Sequence, residues 1–386
     1  MHALNRRQLL GLGAMVCVPG SAVFARDLLQ KKQQQPLLLS AASDGDDHHW
    51  VIGLRLDGTG ASTAFRQPIP ERAHHITVNA ARGFYIVVAR RPGTWIMLGD
   101  LATGAMHAEL RVPTDRHLFG HGVLSPDSTL FYTTESDFND MSGDSGRIVE
   151  WRVQGEGASA ALERLREFPS YGVGPHELLL HPDGNTLIIA NGGIRTHPDH
   201  DRDNLNVATM QPSLVYVDRH SGALLEQHSM PAEFHQSGIR HLDVNADGLV
   251  ALGMQFEGEP FMAVPLIATH RRGEALRLLL ASPELQPQMK QYVGSVRFDT
   301  GGRYFAASCP KGNLISFWDA SEGTLLHTTR ARDGCGVCAV QDGFVFSTGT
   351  GRVAQIDLAE NEITELDTDA DLAQLFWDNH ISAVQS

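Results

Sequence analysis

A chain that binds nucleic acid or an anionic membrane surface carries a basic stripe, and this one has none. Its 386 residues hold 31 Lys and Arg against 45 Asp and Glu, a formal net charge of −14 at pH 7. No run beyond the N-terminus approaches the ~20 apolar residues of a membrane span. Charged residues are few, 20% against 42% hydrophobic, which excludes a disordered chain and leaves material for a large core. No Gly-x-Ser-x-Gly is present, so the sequence offers no nucleophile elbow of the Ser-His-Asp kind. A Gly-rich phosphate loop is also missing.

Cysteine is scarce. Cys17 follows Val16, where a lipobox needs a small residue. Cys309, Cys335 and Cys338 are the other three, an odd number, so in an oxidising compartment two can pair and one is left over. Cys335-Gly336-Val337-Cys338 runs into Ala339, not the histidine that c-type haem attachment requires.

The first 25 residues read as a targeting segment, not as part of a fold. Arg6-Arg7 precedes a mildly apolar run from Leu9 to Val18, and Val23-Phe24-Ala25 places small residues at −3 and −1 of a cleavage point. Paired arginines before a weakly hydrophobic core resemble a twin-arginine signal. Ser/Thr before the pair and Phe after it are missing, so a general secretory signal is the alternative. Either predicts export to the periplasm, cleavage near Ala25, and a mature domain over 26–386.

What is abundant is glycine, 38 residues, and short β-type runs separated by turns. One landmark repeats as Asp100…Gly104, Asp218…Gly222 and Asp319…Gly323, with looser versions after Leu56, Trp151, Pro265 and Ile356, seven in all. Asp caps its own backbone in such turns and Gly accepts φ > 0. A second landmark is a strand start, at His75, His121, His176, His241, Ser295, Gly336 and His380, again seven. Such periods predict a propeller. The last start has no partner strands after it, whereas Leu37–Ser40, Trp50–Leu56 and Ala64–Phe65 lack a first strand. The economical fold is an all-β, single seven-bladed β-propeller in which the C-terminal strand completes the N-terminal blade, leaving no long open edge. Trp318-Asp319 is WD-like and occurs once.

Five of the seven strand starts carry histidine: His75, His121, His176, His241 and His380. In a propeller these starts open on one face of the central channel. Imidazole is the commonest metal-binding side chain, so the five are candidate ligands for a transition metal, and for an anion when protonated. The bland alternative is structural, since Gly120-His121 resembles the Gly-His pair of WD-type blades. Glu177 and Arg240 adjoin two of these histidines and are candidates for the layer behind the ligands. Arg90-Arg91-Pro92-Gly93 ends a strand, where Arg91 can hold an acidic ligand or cap a turn. The loop Thr196–Asn206 places His197, Asp199, His200, Asp201 and Asp203 together. It lacks the Gly and Glu of an EF-hand, yet His197 and His200 suit a softer cation.

Taken together, ARRPGT (Ala89–Thr94), FGHGVLSPD (Phe119–Asp127), GPHELLLHPDG (Gly174–Gly184), ANGGIRTHPD (Ala190–Asp199), MQPSLVYVD (Met210–Asp218), IRHLDV (Ile239–Val244), YVGSVRF (Tyr292–Phe298) and DGCGV (Asp333–Val337) resemble a family of exported bacterial proteins known as domain of unknown function 1513. His200-Asp201-Arg202-Asp203 departs from the family pattern. The resemblance implies a propeller of the quinoprotein, YVTN or WD40-like kind, found near iron-uptake proteins. No catalytic residue is carried over. The expectation is therefore a non-catalytic periplasmic binding protein that takes iron, copper or zinc, or a metal-bearing small ligand, at a histidine-rich mouth in the service of iron acquisition. Periplasmic iron-uptake proteins are its expected partners. One alternative is an enzyme in the same funnel, a metal-dependent hydrolase or lactonase or a quinoprotein-like oxidoreductase, with Glu177 or Asp199 as base. Another is a protein-interaction scaffold whose histidines are structural.

Overall fold

Seven antiparallel sheets stand around a common centre. The computed structural model describes residues 36–200, 203–341, 343–360 and 362–384, so the expected signal segment lies outside them. Six blades are uninterrupted four-stranded meanders whose innermost strands are Ala73–Asn79, Arg116–Leu124, Pro175–Leu180, Ser237–Val244, Ser295–Phe298 and Gly334–Val340. The remaining blade is built from both ends of the chain. Leu37–Ser43, His49–Leu56 and Gly60–Ile69 supply its outer strands, and the C-terminal Phe376–Ala383 pairs antiparallel with Leu37–Ser43 as the innermost one. A short parallel pairing of Asp367–Thr368 extends its outer edge. Phe376–Ala383 packs on both Gly334–Val340 and Ala73–Asn79, so the ring is closed. Among the described residues there is no α-helix, only brief 3-10 turns.

Local chemistry explains why the strands turn where they do. Asp100, Asp218 and Asp319 each accept the backbone N–H of the glycine four residues on, at 2.8 Å. The side chain of each also accepts from the intervening Thr103, Ser221 or Ser321. Gly104, Gly222 and Gly323 sit at φ +75°, +75° and +65°, which a side chain resists.

The middle strands of each blade are buried on both faces, as in Phe84–Ala89 and Thr186–Asn191. Their apolar side chains pack between neighbouring sheets, with Trp95, Trp318 and Trp377 among the largest fully enclosed. The outermost strands carry charge instead, as in Met106–Arg111, Ala161–Pro169 and Glu362–Glu365, which protects the exposed edges from pairing. Cys309, Cys335 and Cys338 are buried free thiols.

Candidate metal centre

Six of the seven innermost strands contain an irregularity in their pairing, and it falls at the same level each time. The ladder passes from Ala73 to Ile76, from Leu118 to Gly122, from Pro175 to Leu178, from Ile239 to His241, from Gly334 to Val337, and from Trp377 to Ile381. Ser295–Phe298 alone pairs without a shift. Residues freed from a ladder by a bulge can be re-aimed. Here those residues include His74 and His75, His121, His176 with Glu177, Arg240, and Asp378 with His380.

The result is six imidazoles at the centre of the ring. Ring centroids lie 4.5 Å apart for His74 and His380, 4.6 Å for His121 and His380, 4.8 Å for His74 and His121, and 4.9 Å for His176 and His241. His75 stacks on His121 at 5.4 Å. All five histidines expected from the sequence are therefore brought together. His74, not singled out by the sequence, joins them. Gly336 takes the corresponding place in Gly334–Val340, where a Cβ would meet the His380 carbonyl carbon at 2.9 Å. At Gly120, φ +104°, a Cβ would fall 2.7 Å from the His74 side chain.

Carboxylates fix which nitrogen carries the proton in His74 and His241, and one stands near His121. Asp378 Oδ1 lies 2.7 Å from His74 Nδ1. Burial opposes ionisation of Asp378, but Arg90, His74 and Arg72 hold its carboxyl well below the usual range. Arg90 and Arg72 reach its other oxygen at 2.6 and 2.9 Å. Glu177 Oε2 accepts from His241 Nδ1 at 3.3 Å and from the Leu242 N–H at 3.1 Å. Its Oε1 stands 3.7 Å from His121 Nδ1 and 3.4 Å from Arg297. Burial works against the Glu177 carboxylate too, yet Arg297 and His241 keep its pKa lowered. An ionised carboxylate only accepts, so Nδ1 donates and Nε2 keeps a lone pair.

Those lone pairs have nowhere to go. The Nε2 atoms of His74, His121 and His241, both ring nitrogens of His380, and Nδ1 of His176 are buried with no hydrogen-bond partner among the described residues. Burial depresses every one of these imidazoles, His74 and His75 to about 4 and His121, His176 and His380 well below 6.5. His241 is lowered as well, with Glu177 opposing the effect. Neutral rings with free lone pairs are metal ligands. Ligand atoms of His121, Glu177, His241 and His380 lie within 4.8 Å of one another, as do those of His74, His121 and His176. Two zinc–nitrogen bonds span at most about 4.2 Å between donors. In a tetrahedral site the same bonds place donors roughly 3.4 Å apart, so either group has to contract to close on one ion.

A cavity of about 20 Å³ opens beside the rings, lined by His74, His176 and His241 and by Arg90, Arg91 and Arg240. Of the residues expected around the ligands, Arg91, Glu177 and Arg240 thus belong to this centre. His197 does not. Its ring packs on Phe138 at 4.7 Å, in a separate pocket of about 200 Å³ that also contains Met141 and His200. Asp199 is exposed, and Asp201 lies outside the described residues. Asp378 and Arg297 were not foreseen. The run Asp378-Asn379-His380 held a signal, a carboxylate two residues from an expected ligand.

Among the described residues two other clusters carry ligand-type side chains. In Glu226, His228 and His270, both nitrogens of His270 are occupied, by the Tyr216 hydroxyl at 2.6 Å and the Glu274 carbonyl at 3.0 Å. In Asp44, Asp46 and His48, one Asp44 oxygen already accepts two backbone N–H groups of its own turn. Neither presents converging free lone pairs.

The family model described as "Protein of unknown function (DUF1513)" matches residues 67–384. No curated protein matches the chain. Among solved structures, a Bacteroides fragilis protein provisionally named a 6-phosphogluconolactonase is 14% identical, with 92% of this chain and 99% of that one covered and a TM-score of 0.62. Hydrazine synthase of Kuenenia stuttgartiensis is 14% identical over 85% of this chain and 94% of its own, with a TM-score of 0.55. Saccharomyces cerevisiae Sqt1 is 12% identical over 86% and 82%, with a TM-score of 0.54. Similarity at this level is similarity of fold, which hosts many functions.

Proposed function

This chain belongs to the DUF1513 family of proteins of unknown function, and from that premise we propose that it is a binding protein that holds a transition metal ion among the imidazoles at the centre of its propeller. One observation carries the reading. His74 and His241, and His121 at longer range, direct Nδ1 at ionised carboxylates, leaving buried Nε2 lone pairs unpartnered among the described residues. Buried polar atoms normally find partners, so a group of orphaned lone pairs calls for a cation. Carboxylates behind ligating histidines fix the tautomer and raise ligand basicity, which is the role of Asp378 and Glu177 here.

His121, common to both groups, would hold the ion with His241 and His380 or with His74 and His176, and His75 stands beside them. An all-imidazole set suits zinc, copper, iron or nickel. Such an ion, when bound, supplies a Lewis-acid or redox centre. The convergence of the rings on the centre, instead of between blades, favours binding over a scaffold with structural histidines. An enzyme using Glu177 as base has less support, because Arg297, Leu242 and His241 already engage that carboxylate. We place the binding in the periplasm and in iron acquisition on the strength of the Arg6-Arg7 leader and the neighbours that the family resemblance implies.

The test is metal content by plasma mass spectrometry on untagged protein purified natively from the periplasm. About one iron, copper or zinc per chain is expected, lost in His121→Ala and His241→Ala. Wild-type protein that stays empty after incubation with each metal contradicts the proposal.

A further inference from the structure

Past the imidazoles, four of the innermost strands end around a second and larger cavity of about 600 Å³. That volume lies within the roughly 300–1,000 Å³ of small-ligand sites. Its wall holds Asp243, Arg297 and Ser382, with Phe298, Ala339 and Ile381 as apolar surface. Arg297 is its one cationic side chain among the described residues. Its Nη1 donates to the Leu242 and Val296 carbonyls, at 3.1 and 3.0 Å, and to Glu177 at 3.4 Å. Nε and Nη2 make no hydrogen bond among the described residues and, unlike the orphaned imidazole nitrogens, are not enclosed by protein. Asp243 stands beside this guanidinium. Its Oδ2 accepts from the Phe298 N–H at 2.7 Å and its Oδ1 from the Val244 N–H at 3.0 Å, so each oxygen keeps a lone pair. Ser382 Oγ donates to the Ile76 carbonyl at 2.6 Å, which leaves it free to accept.

We infer that this cavity binds a small zwitterion of the α-amino-acid class with an apolar side chain, its carboxylate on the Nε–Nη2 edge of Arg297 and its ammonium on Asp243 and Ser382. The two charges on one wall exclude simpler ligands. A plain carboxylate would bring a further negative charge to Glu177 and Asp243, which already flank Arg297. A plain amine would leave the guanidinium edge unmatched. A zwitterion serves both groups and adds no net charge. The edge presents two parallel N–H donors, the geometry that a carboxylate takes bidentately. An ammonium carries donors only, and the lone pairs of Asp243 and Ser382 receive them. Phe298, Ala339 and Ile381 give the ligand side chain an apolar surface. The inference stands without a metal among the imidazoles.

Isothermal titration calorimetry of the mature, metal-free protein tests this with L-leucine and L-phenylalanine as probes. Saturable binding is expected, weaker by about tenfold or more for N-acetyl-leucine, which lacks the ammonium, and for leucinamide, which lacks the carboxylate. Asp243→Asn should weaken leucine by about tenfold or more, yet N-acetyl-leucine by less than about twofold. Arg297→Lys, which keeps the charge but not the paired donors, should act in the same way on leucine and leucinamide. Direct contact produces such non-additivity, and a general disturbance of the fold does not. No binding of either amino acid to wild type overturns the inference. So does wild-type binding that is indifferent to both blocking groups, and so do variants that weaken leucine and its blocked analogue equally. Each of these results leaves the metal reading standing.

Discussion

His74 Nδ1 lies 2.7 Å from Asp378 Oδ1, across 304 residues of sequence, and joins the innermost strand of one blade to the C-terminal strand of the next. The contact that closes the ring is therefore also the one that sets the tautomer of a candidate ligand. Structure and site share a residue pair.

Replacing Asp378 by Asn removes the ionised acceptor behind His74. Loss of such a partner typically costs 10–100-fold in metal affinity, and that is the weakening expected of cobalt or zinc titrations on Asp378→Asn. Arg72→Gln cuts only the partly exposed contact to the same carboxylate at 2.9 Å. It should leave metal affinity within about twofold, since exposed ion pairs are worth little. Equal losses in the two variants would assign Asp378 a purely structural role.

Gly120→Ala tests the space left for His74. The backbone there has φ +104°, and a Cβ would meet the His74 side chain at 2.7 Å. A destabilisation of about 1–3 kcal/mol is expected from the strained backbone, with metal affinity falling at least tenfold as the ring is displaced. Chemical denaturation and metal titration together check it. Unchanged affinity in a folded variant would mean that His74 is not a ligand.

Trp377→Ala probes the closing strand. Trp377 is 2% exposed and packs with Leu38, Ile52 and Val345. Truncating a buried Trp costs about 3–5 kcal/mol, so the denaturation midpoint should drop accordingly. A loss below about 1 kcal/mol would show that the seam contributes little to stability.

Acid destabilises the fold through His117. His117 is buried, its Nδ1–H donating to the Leu118 carbonyl at 3.2 Å and its Nε2 accepting from the Thr196 hydroxyl at 3.0 Å. Burial lowers its pKa to about 4, against about 6.5 in an unfolded chain. Protons therefore bind the unfolded state first. Its contribution is full above about pH 6.5 and is lost as pH falls towards 4, by up to about 3 kcal/mol. His117→Gln should flatten the decline of the urea midpoint with pH across that window. Parallel wild-type and variant profiles would contradict the assignment.

Much of this architecture was legible in the residues. Asp-x-x-x-Gly turns and seven strand starts mark the blades because a closed meander repeats the same turn chemistry. A last strand without partners, opposite a first blade without an inner strand, reveals the closure. Five of the six central histidines showed themselves by position. His74 did not, because strict strand alternation lets only one of two adjacent residues face the channel, and the bulge between Ala73 and Ile76 frees both. Asp378 and Arg297 act across blades, and no local pattern reports which blades meet. The polar loop around His197 looked equally suited to a cation. Its backbone instead folds His197 against Phe138, away from the ring.

The most direct test of the central claim is anomalous diffraction from crystals of the mature protein loaded with zinc or cobalt, recorded at the metal edge. The account predicts one dominant peak at the centre of the propeller, with a ring nitrogen of His121 and of at least two more of the central imidazoles at about 2.0–2.1 Å from zinc. A crystal with no such peak, or with metal only at Glu226, His228 and His270 or at the Asp44–His48 turn, would contradict it.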